Sequence, residues 1–452
     1  MRRGSRVGSI ATKPISLAAG ATLLAIANLA VWFPGEAGPD AEAQYAQAVA
    51  GQFDDWHQPI MAWLWSLLRH VADGNAPMFA LQVAGYWFAF GLIALTLARI
   101  GRPLAAWAML GVALWPSLLT LNSIILVDVG MAVTFLAAFA LFFSYRAQDR
   151  DVPLAIAAGA LVLWLYGTLA RPNAVFAAVP LLVYLVRPQW LGRPWRVLAF
   201  SLPVALALVP VADLFNHRLL HAQSLGPIRA LQIFDVAGIA SRSGDLAVFG
   251  PGNAFTRDEV ARCYAPDYWD RLSPWGECHF FWIRLGVARD QQAGAEGAPD
   301  ARALMGLPPD PQLRDRWIDA IMRHPIAYVR HRLAHFAAEI WRGALDDPDA
   351  PKPFRAALYE RVTASAPWLA LGAILLVRLA GRRARRRTAS IDAALALLLS
   401  GLPYALAYLV IGVAAELRYM LWSLMAIFAA AVITLLDARD GVDKHQAKNK
   451  GS

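Results

Sequence analysis

Long apolar runs recur through most of this chain, and each is long enough to cross a lipid bilayer as a helix of about 17 to 25 residues. The chain is 58% hydrophobic and only 17% charged, with a mean hydropathy of +0.42. These values exclude an ordinary soluble enzyme and predict an all-α polytopic membrane protein. About ten membrane helices are predicted, at residues 14–34, 78–98, 104–121, 124–145, 152–170, 174–186, 197–214, 363–380, 391–412 and 419–436.

Charge is divided unevenly between the two sides of these helices. With the N-terminus in the cytoplasm, the pieces on that side hold half of the 42 Lys and Arg but fewer than a fifth of the 33 Asp and Glu. This asymmetry follows the positive-inside rule and predicts that both termini are cytoplasmic. It also accounts for the net charge of +9 without a nucleic-acid partner.

Two segments on the opposite side are too long to be turns. The first long loop, residues 35–77, contains AEAQYAQAVAGQF, which favours a short helix, and then an interfacial helix from Pro59 to His70. The central segment, residues 215–361, mixes Pro, Gly, Asp, Arg and aromatic residues and predicts a small, mainly helical periplasmic domain. The predicted organisation is a membrane module over 1–214, the periplasmic domain over 215–361, C-terminal membrane helices over 362–436 and a cytoplasmic tail over 437–452.

An amphipathic helix is predicted over residues 325–342, near the end of the central segment. Its apolar residues recur at spacings of three and four, at Ile326, Val329, Leu333, Phe336 and Ile340. The other side carries Arg330, His331, Arg332 and His335. We expect the helix to lie flat on the membrane, with its histidines solvated or facing lipid phosphate. His331 and His335 also have the spacing of a metal-binding pair, but no third ligand is evident.

The two cysteines, Cys263 and Cys278, both fall in the central segment. The periplasm is oxidising, so a disulfide closing this short loop is the preferred interpretation. The alternative is a pair of reduced, buried thiols. A metal site is not predicted, because two sulfurs and the adjacent His279 provide too few ligands.

Acidic residues crowd the first long loop, at Asp40, Glu42, Asp54 and Asp55. Helices on both sides hold this loop close to the membrane, where partial desolvation raises the pKa of a carboxylate and its strength as a proton acceptor. The alternative is a solvated acidic loop without a chemical role.

Three charged residues lie at or near the same ends of predicted membrane helices. Asp128 sits about one turn into a helix, where a carboxylate usually faces a polar cavity or a partner. Arg171 and Arg418, together with His57, are placed to receive a lipid-linked phosphate. Each has a structural alternative: Asp128 as an ion-pair partner of Arg171 or Arg418, and the arginines as residues that snorkel to headgroups.

The sequence contains no GxxxxGK[ST], GxGxxG, HExxH or GxSxG motif in a matching context. No nucleotide site is therefore predicted. If the protein transfers a group, we expect the donor to be activated by a lipid carrier.

Five stretches resemble, in order, motifs of the bacterial GT-C superfamily of membrane glycosyltransferases, of the protein mannosyltransferase and aminoarabinose transferase type. GPDAEAQYAQAVAGQFDDWHQPIMAWLWSLL is similar to their first outer loop, in which an Asp precedes Asp-x-His-Pro-Pro. ILVDVGMAVTFL resembles their second acidic motif, and LARPNAVFAAVP their Arg-x-Asn-Ala stretch. RHPIAYVRHRLAHF resembles a His-Pro-x-x-Tyr segment, and ELRYMLW a late Arg-Tyr motif. The matches are short but span nearly the whole chain.

The resemblance implies a GT-C-like fold, a cavity open to the periplasm, a polyprenyl-phosphate sugar as donor and inversion at the anomeric carbon. It places Asp40 as the catalytic base and Arg171 and Arg418 beside the departing phosphate. The further substrate-binding positions it implies are Asp55, His57, Asp128 and Tyr419, with Glu42, Asp54, Gln58, His331 and Arg332 as weaker candidates. The chain departs from the family pattern at Gln58, at Val127, where a Lys is frequent, and at Pro172.

The sequence thus predicts an inverting glycosyltransferase of the bacterial inner membrane, moving a sugar from undecaprenyl phosphate to a glycan, lipid or protein acceptor. No cofactor is expected, although Asp40-x-Glu42 could bind a divalent cation. One alternative is a lipid-linked sugar flippase or transporter, which would need a cavity reaching both membrane faces. Another is a polymerase or ligase of lipid-linked oligosaccharides.

Overall fold

The structure is a computed structural model that describes residues 14–252, 254–298, 300–342 and 361–435. Within these ranges the chain is almost entirely helical, and its extended pairings are four isolated bridges. The predicted all-α class is confirmed. The predicted tail over 437–452 and the 343–360 part of the central segment lie outside the described residues.

The helices before the central segment are α1 (Pro14–Trp32), α2 (Pro39–Ala50), α3 (Ile60–Leu68), α4 (Ala76–Arg99), α5 (Pro103–Ala113), α6 (Pro116–Asn122), α7 (Val127–Arg146), α8 (Leu154–Ala170), α9 (Val175–Val186) and α10 (Pro194–Asp213). Those that follow are α11 (Ile228–Ser243), α12 (Arg257–Cys263), α13 (Gln292–Ala295), α14 (Ala301–Met305), α15 (Leu313–Arg323), α16 (Pro325–Trp341), α17 (Ala366–Arg385), α18 (Ala389–Ile411) and α19 (Leu421–Leu435).

Among the described residues, 7 helices are long and apolar enough to cross a membrane, so the chain is a multi-pass membrane protein. They are Pro14–Trp32, Ala76–Arg99, Val127–Arg146, Trp195–Leu219, Arg361–Arg385, Ala389–Ile411 and Leu417–Thr434. Helices α8 and α9 are shorter. The predicted helix over 104–121 is broken into α5 and α6, bent by 56°. Pro116 lacks the N–H that would continue the helical hydrogen bonding, which explains the break.

Helix α7 lies at the centre of the membrane helices and packs against α4, α8 and α19. Close approach to α8 depends on Gly167, because a Cβ there would lie 2.7 Å from a ring carbon of Phe135. Buried polar bonds also join the helices: Asn28 Oδ1 accepts from Trp87 Nε1 at 3.1 Å and from Asn122 Nδ2 at 2.9 Å. These contacts fix the helix ends from which the site is built.

Two of the bridges connect the long loops to the ends of membrane helices, and a third connects the two long segments to each other. Glu36 pairs with Ile124, which brings the start of α2 beside the start of α7. Asp54 pairs with Gln223, joining the first long loop to the central segment, and Tyr268 pairs with Ala414 just before the last membrane span. Distant parts of the sequence therefore converge at one end of the membrane helices.

Cys263 and Cys278 form a disulfide, the first of the two alternatives that the sequence left open. It closes a loop, residues 264–277, that we call the disulfide loop. This loop carries the Tyr268 bridge, so it is fixed to the segment that leads into α19.

The two faces of helix α16 differ in exposure, and the polar face differs from the expectation. Ile326, Val329 and Leu333 are exposed, as a helix lying on a membrane requires. On the polar side, however, His331, Arg332 and His335 are buried in the protein while Arg330 is exposed, and the expectation that His331 and His335 are solvated or face lipid phosphate is wrong. The reason is a buried network against α11, in which His331 Nε2 lies 3.0 Å from Asp235 Oδ1 and Trp317 Nε1 donates to Asp235 Oδ2 at 2.8 Å.

The stretch from Pro59 to His70, predicted to form a helix, is helical over Ile60–Leu68, which is α3. Trp63 is half-buried and packs edge-on against Phe215. Trp65 is fully buried and donates to the Gly74 carbonyl at 3.1 Å, so it is a packing residue of this loop.

Candidate active site

Asp40 stands in the first turn of α2, where Pro39 and the preceding Gly38 start the helix. Its two carboxylate oxygens face two different basic side chains. Arg418 NH1 donates to Oδ2 at 2.6 Å, and His57 Nε2 lies 3.3 Å from Oδ1. The carboxylate, the imidazole and the guanidinium thus meet, although they come from residues almost 400 positions apart in sequence.

Arg418 is shared between two carboxylates. Its Nε lies 2.5 Å from Glu416 Oε2, and its NH2 donates to Glu416 Oε1 at 3.1 Å. This two-pronged contact orients the guanidinium, leaving NH1 directed at Asp40. Glu416 is therefore the residue that positions Arg418.

A second arginine, Arg171, also contacts the Tyr419 ring. The Arg418 guanidinium is 5.2 Å from the centre of the Tyr419 ring, and that of Arg171 is 4.9 Å from it. Such contacts are attractive because the ring face is electronegative. Arg171 NH1 also donates to Asp128 Oδ2 at 3.1 Å, which is the ion pair that the sequence left open as a structural alternative.

Two cavities meet at this cluster. The narrow cavity, about 210 Å³, extends past Arg171, Val127 and Tyr419 towards the membrane helices. The wide cavity, about 940 Å³, extends between α2, α14 and the disulfide loop. Seven residues line both of them: Asp40, Trp56, His57, Asp270, Trp275, Glu416 and Arg418. The cluster therefore forms the junction between two compartments.

The electrostatics of Asp40 differ from the sequence-based expectation of a raised pKa. Burial by itself raises the pKa of Asp40, but the hydrogen bond and charge of His57, followed by the charge of Arg418, outweigh it. The pKa of Asp40 consequently lies well below its usual value, and the expectation is wrong for this residue. The expectation is right in direction for Asp54, because burial raises the pKa of Asp54 despite the charge of Arg302.

Other predicted residues also line the cavities. Asp54 lines the wide cavity, where Arg302 NH2 lies 2.8 Å from its Oδ2 and the Trp56 amide donates to Oδ1 at 3.1 Å. Gln58 lines the narrow cavity and accepts from Asn216 Nδ2 at 2.5 Å.

Several predicted site residues lie away from the junction. Asp55 is buried and accepts from Ser224 Oγ at 2.9 Å and from the Leu225 amide at 2.6 Å, so it anchors the central segment and does not line either cavity. Glu42 is exposed on α2. His331 and Arg332 belong to the buried face of α16.

The buried face of α16 nevertheless bears on the site. Arg332 and Glu339 on that face, and Arg342 just after the end of α16, bond to the backbone of residues 412–416. Arg332 NH1 donates to the Gly412 carbonyl at 2.6 Å, and Glu339 Oε2 accepts from the Glu416 amide at 3.0 Å. The segment that leads to Arg418 is therefore held by α16.

Sequence reasoning missed the aromatic and acidic wall of the junction, formed by Trp56, Asp270, Trp275 and Glu416. Asp270 accepts hydrogen bonds from the side chains of Tyr268 and Trp275, and burial raises its pKa. One available signal was the composition of the disulfide loop, YAPDYWDRLSPWGE, which is rich in aromatic and acidic residues for an exposed loop.

Metal binding was also considered for this region. Within the described ranges, no group of three or more His, Cys, Asp or Glu side chains is placed to hold one ion. Asp40 and the exposed Glu42 do not face a common point in either cavity.

Comparison with known proteins gives little further guidance. No family model and no curated protein sequence matches the chain. A crystal structure of ArnT from Cupriavidus metallidurans bound to undecaprenyl phosphate is similar at 15% identity and a TM-score of 0.32, over 93% of this chain and 76% of that one. A superposition this loose does not establish a shared fold.

Proposed function

We propose that the protein is an inverting glycosyltransferase with a GT-C-like fold, which takes a sugar from a polyprenyl-phosphate donor such as undecaprenyl-phosphate sugar. Its acceptor is a component of the cell envelope. The enzyme resides in the bacterial inner membrane with both termini in the cytoplasm, and its site faces the periplasm. The proposal assigns no step to a metal ion.

The observation that carries this proposal is the junction of two cavities at Asp40, His57 and Arg418. A transferase for two substrates needs one compartment for the donor, one for the acceptor and a proton acceptor between them. The narrow cavity reaches two arginines beside the membrane helices, which suits a lipid phosphate. The wide cavity opens on the other side of Asp40, which suits an acceptor.

In the proposed reaction, Asp40 takes the proton of the acceptor hydroxyl as its oxygen attacks the anomeric carbon. The bond from that carbon to the phosphate oxygen breaks, and the lipid phosphate leaves with the bonding electrons. Arg171 and Arg418 stabilise the negative charge that develops on the departing phosphate. A single displacement of this kind inverts the anomeric configuration.

Arg418 explains how a carboxylate with a depressed pKa becomes a base. In the structure its guanidinium neutralises Asp40 directly. An incoming phosphate competes for the same donor, and as that contact weakens, the pKa of Asp40 rises because one of the two side chains that lower it, His57 and Arg418, is drawn away. Donor binding thus activates the base.

A flippase would need a passage between the two membrane faces. A third cavity, about 390 Å³, lies at the other end of α7, beside Arg146, Arg150 and Asp392. It shares no lining residue with the two cavities at the junction, and the 20 residues of α7 separate it from Asp128 by about 30 Å. This separation favours a transferase over a flippase. A polymerase or ligase of lipid-linked oligosaccharides remains the second candidate, because a wide acceptor cavity serves that reaction as well.

The test is transfer from a polyprenyl-phosphate sugar by the purified full-length protein. We expect Asp40→Asn to lower turnover by about 10² to 10⁴, because the amide cannot accept the proton, while the melting temperature stays close to that of the wild type. Asp258→Asn, a change of the same kind at an exposed position on α12, should leave turnover unchanged. Undiminished transfer by Asp40→Asn would remove Asp40 from the mechanism.

A further inference from the structure

We propose that the wide cavity binds a neutral saccharide acceptor, whose sugar ring stacks on Trp275 and whose hydroxyls bond to the carboxylates of Asp270 and Asp54. This inference rests on the proposed transferase function and narrows its acceptor to one chemical class. Four features of the cavity support it.

The first feature is an exposed aromatic wall. Trp275 is 48% exposed and Tyr268 is 38% exposed, although both lie in the cavity lining. Large aromatic side chains left open inside a cavity that also carries charged groups indicate a ligand with an apolar face. The C–H groups on the face of a pyranose ring provide such a face, and the flat rings of Trp and Tyr accommodate it.

The second feature is that the Trp275 ring is already fixed. Trp56 packs edge-on against it with ring centres 5.7 Å apart, and Trp269 does so at 5.5 Å. Asp270 also accepts a hydrogen bond from the Trp275 side chain. A ring held from several sides loses little conformational freedom when a ligand binds, so it forms a prepared stacking surface.

The third feature is the supply of hydrogen-bond acceptors beside that ring. A carboxylate has about four lone-pair positions, so neighbouring sugar hydroxyls can bond to it in pairs. Asp270 uses part of this capacity for Tyr268 and Trp275, and Asp54 uses part for Arg302 and the Trp56 amide. The remaining positions are available to hydroxyl groups in the cavity.

The fourth feature is the charge balance of the lining. Its carboxylates are Asp40, Asp54, Asp267, Asp270 and Glu416, and its guanidinium groups are Arg271, Arg302, Arg342 and Arg418. The arginines have partners within the protein: Arg302 pairs with Asp54, Arg418 with Asp40 and Glu416, and Arg271 lies 3.6 Å from Glu277. With five carboxylates against four guanidinium groups, the lining has no large excess of either charge, which favours a neutral acceptor.

The disulfide explains why this wall keeps its shape. The Cys263–Cys278 bond closes the loop that supplies Tyr268, Asp270 and Trp275, and the Ala415 amide donates to the Asp267 carbonyl at 2.8 Å. The acceptor wall and the segment carrying Arg418 are therefore one connected unit, which places a bound saccharide next to Asp40.

Saturation-transfer NMR on the full-length protein, without donor, tests this inference. The probes are the methyl glycosides of glucose, galactose, mannose and N-acetylglucosamine. We expect transfer to the ring protons of at least one of them, and a loss of affinity of about tenfold in Trp275→Ala, because the stacking surface is removed. Trp275→Phe, which keeps a flat ring, should lose less. Trp195→Ala changes a comparably exposed tryptophan outside both cavities and should bind as the wild type does.

Two results would overturn the saccharide site: none of the four glycosides binds, or Trp275→Ala and Trp195→Ala bind equally well. A diphosphorylated disaccharide and a cationic peptide are included as competitors. If either of them binds more strongly than the glycosides do, the saccharide site is also overturned. Because no donor is present, saccharide binding is measured independently of transfer. Saccharide binding without any transfer would instead count against the proposed catalytic function.

Discussion

Asp40 is bound to two basic side chains, so its chemistry depends on both His57 and Arg418. Held by both of them, the carboxylate is a weak proton acceptor. Glu416 keeps the same guanidinium in place from the other side. The base and the phosphate ligand are therefore a single coupled unit, and changing one alters the other.

Arg418→Lys tests that coupling at the level of one residue. Lysine keeps the positive charge but has no planar fork, so it cannot engage Glu416 through two nitrogens and still reach Asp40. We expect transfer to fall by about a hundredfold, as when one stabilising donor is removed from other active sites. Steady-state kinetics with a polyprenyl-phosphate sugar measures this loss.

Arg314→Lys, on the exposed surface of α15, is the matched control and should behave as the wild type. If Arg418→Lys were as active as that control, the two-pronged contact with Glu416 would have no part in catalysis.

Sequence reasoning reached some residues of the site and not others, for identifiable reasons. Asp40, His57 and Arg418 lie in motifs whose charge is conspicuous at the ends of apolar runs. Asp270 and Trp275 lie in an irregular loop, and only the bridge from Tyr268 to Ala414 brings them to Asp40. A pairing between residues so far apart leaves no periodic signal in the sequence.

At the scale of elements, α16 shows how a helical pattern can be read correctly and its environment misjudged. The spacing of its apolar residues predicted the helix, and Pro325 begins it. The polar face was expected to be open because charged residues usually are. It is buried instead, because Asp235 on α11 and the carbonyls of residues 412–416 supply partners for it.

Burial of His335 on this face makes a pH-dependent prediction. Burial, followed by the charge of Arg332, lowers the pKa of His335 to about 4, although the Pro266 carbonyl at 2.8 Å from Nδ1 offsets part of the effect. The unfolded chain therefore binds a proton at this position between about pH 6.5 and 4, while the folded protein does not. The associated stability is fully present above pH 6.5 and is lost as the pH falls towards 4, by at most about 3 kcal/mol.

Melting temperatures of the wild type and of His335→Asn between pH 4 and 7.5 measure this effect. Asparagine retains a donor near the position of Nδ1 but does not titrate, so its melting temperature should fall less steeply with acidification. Parallel pH profiles for the two proteins would show that His335 is not protonated on unfolding.

At the scale of the whole molecule, the length of the apolar runs predicts where the membrane helices lie. The site, however, is formed by contacts between segments that are distant in the sequence. Helices occur at all ten predicted positions, but among the described residues 7 of them, or up to 8 if the pair bent at Pro116 is one span, are long and apolar enough to cross a membrane, so the predicted number of spans is too high. The site, by contrast, combines residues from the first long loop, the disulfide loop and the segment before α19. Their convergence depends on the backbone bridges and on the buried face of α16. A hydropathy pattern does not predict either of these contacts.

The most direct test of the account is a cryo-electron microscopy structure of the full-length protein with undecaprenyl phosphate bound. We predict that the phosphate lies in the narrow cavity within hydrogen-bonding distance of both Arg171 and Arg418, and that the contact from Arg418 NH1 to Asp40 lengthens from its present 2.6 Å. A phosphate bound beside Arg146 and Arg150, at the other end of α7, would contradict the account.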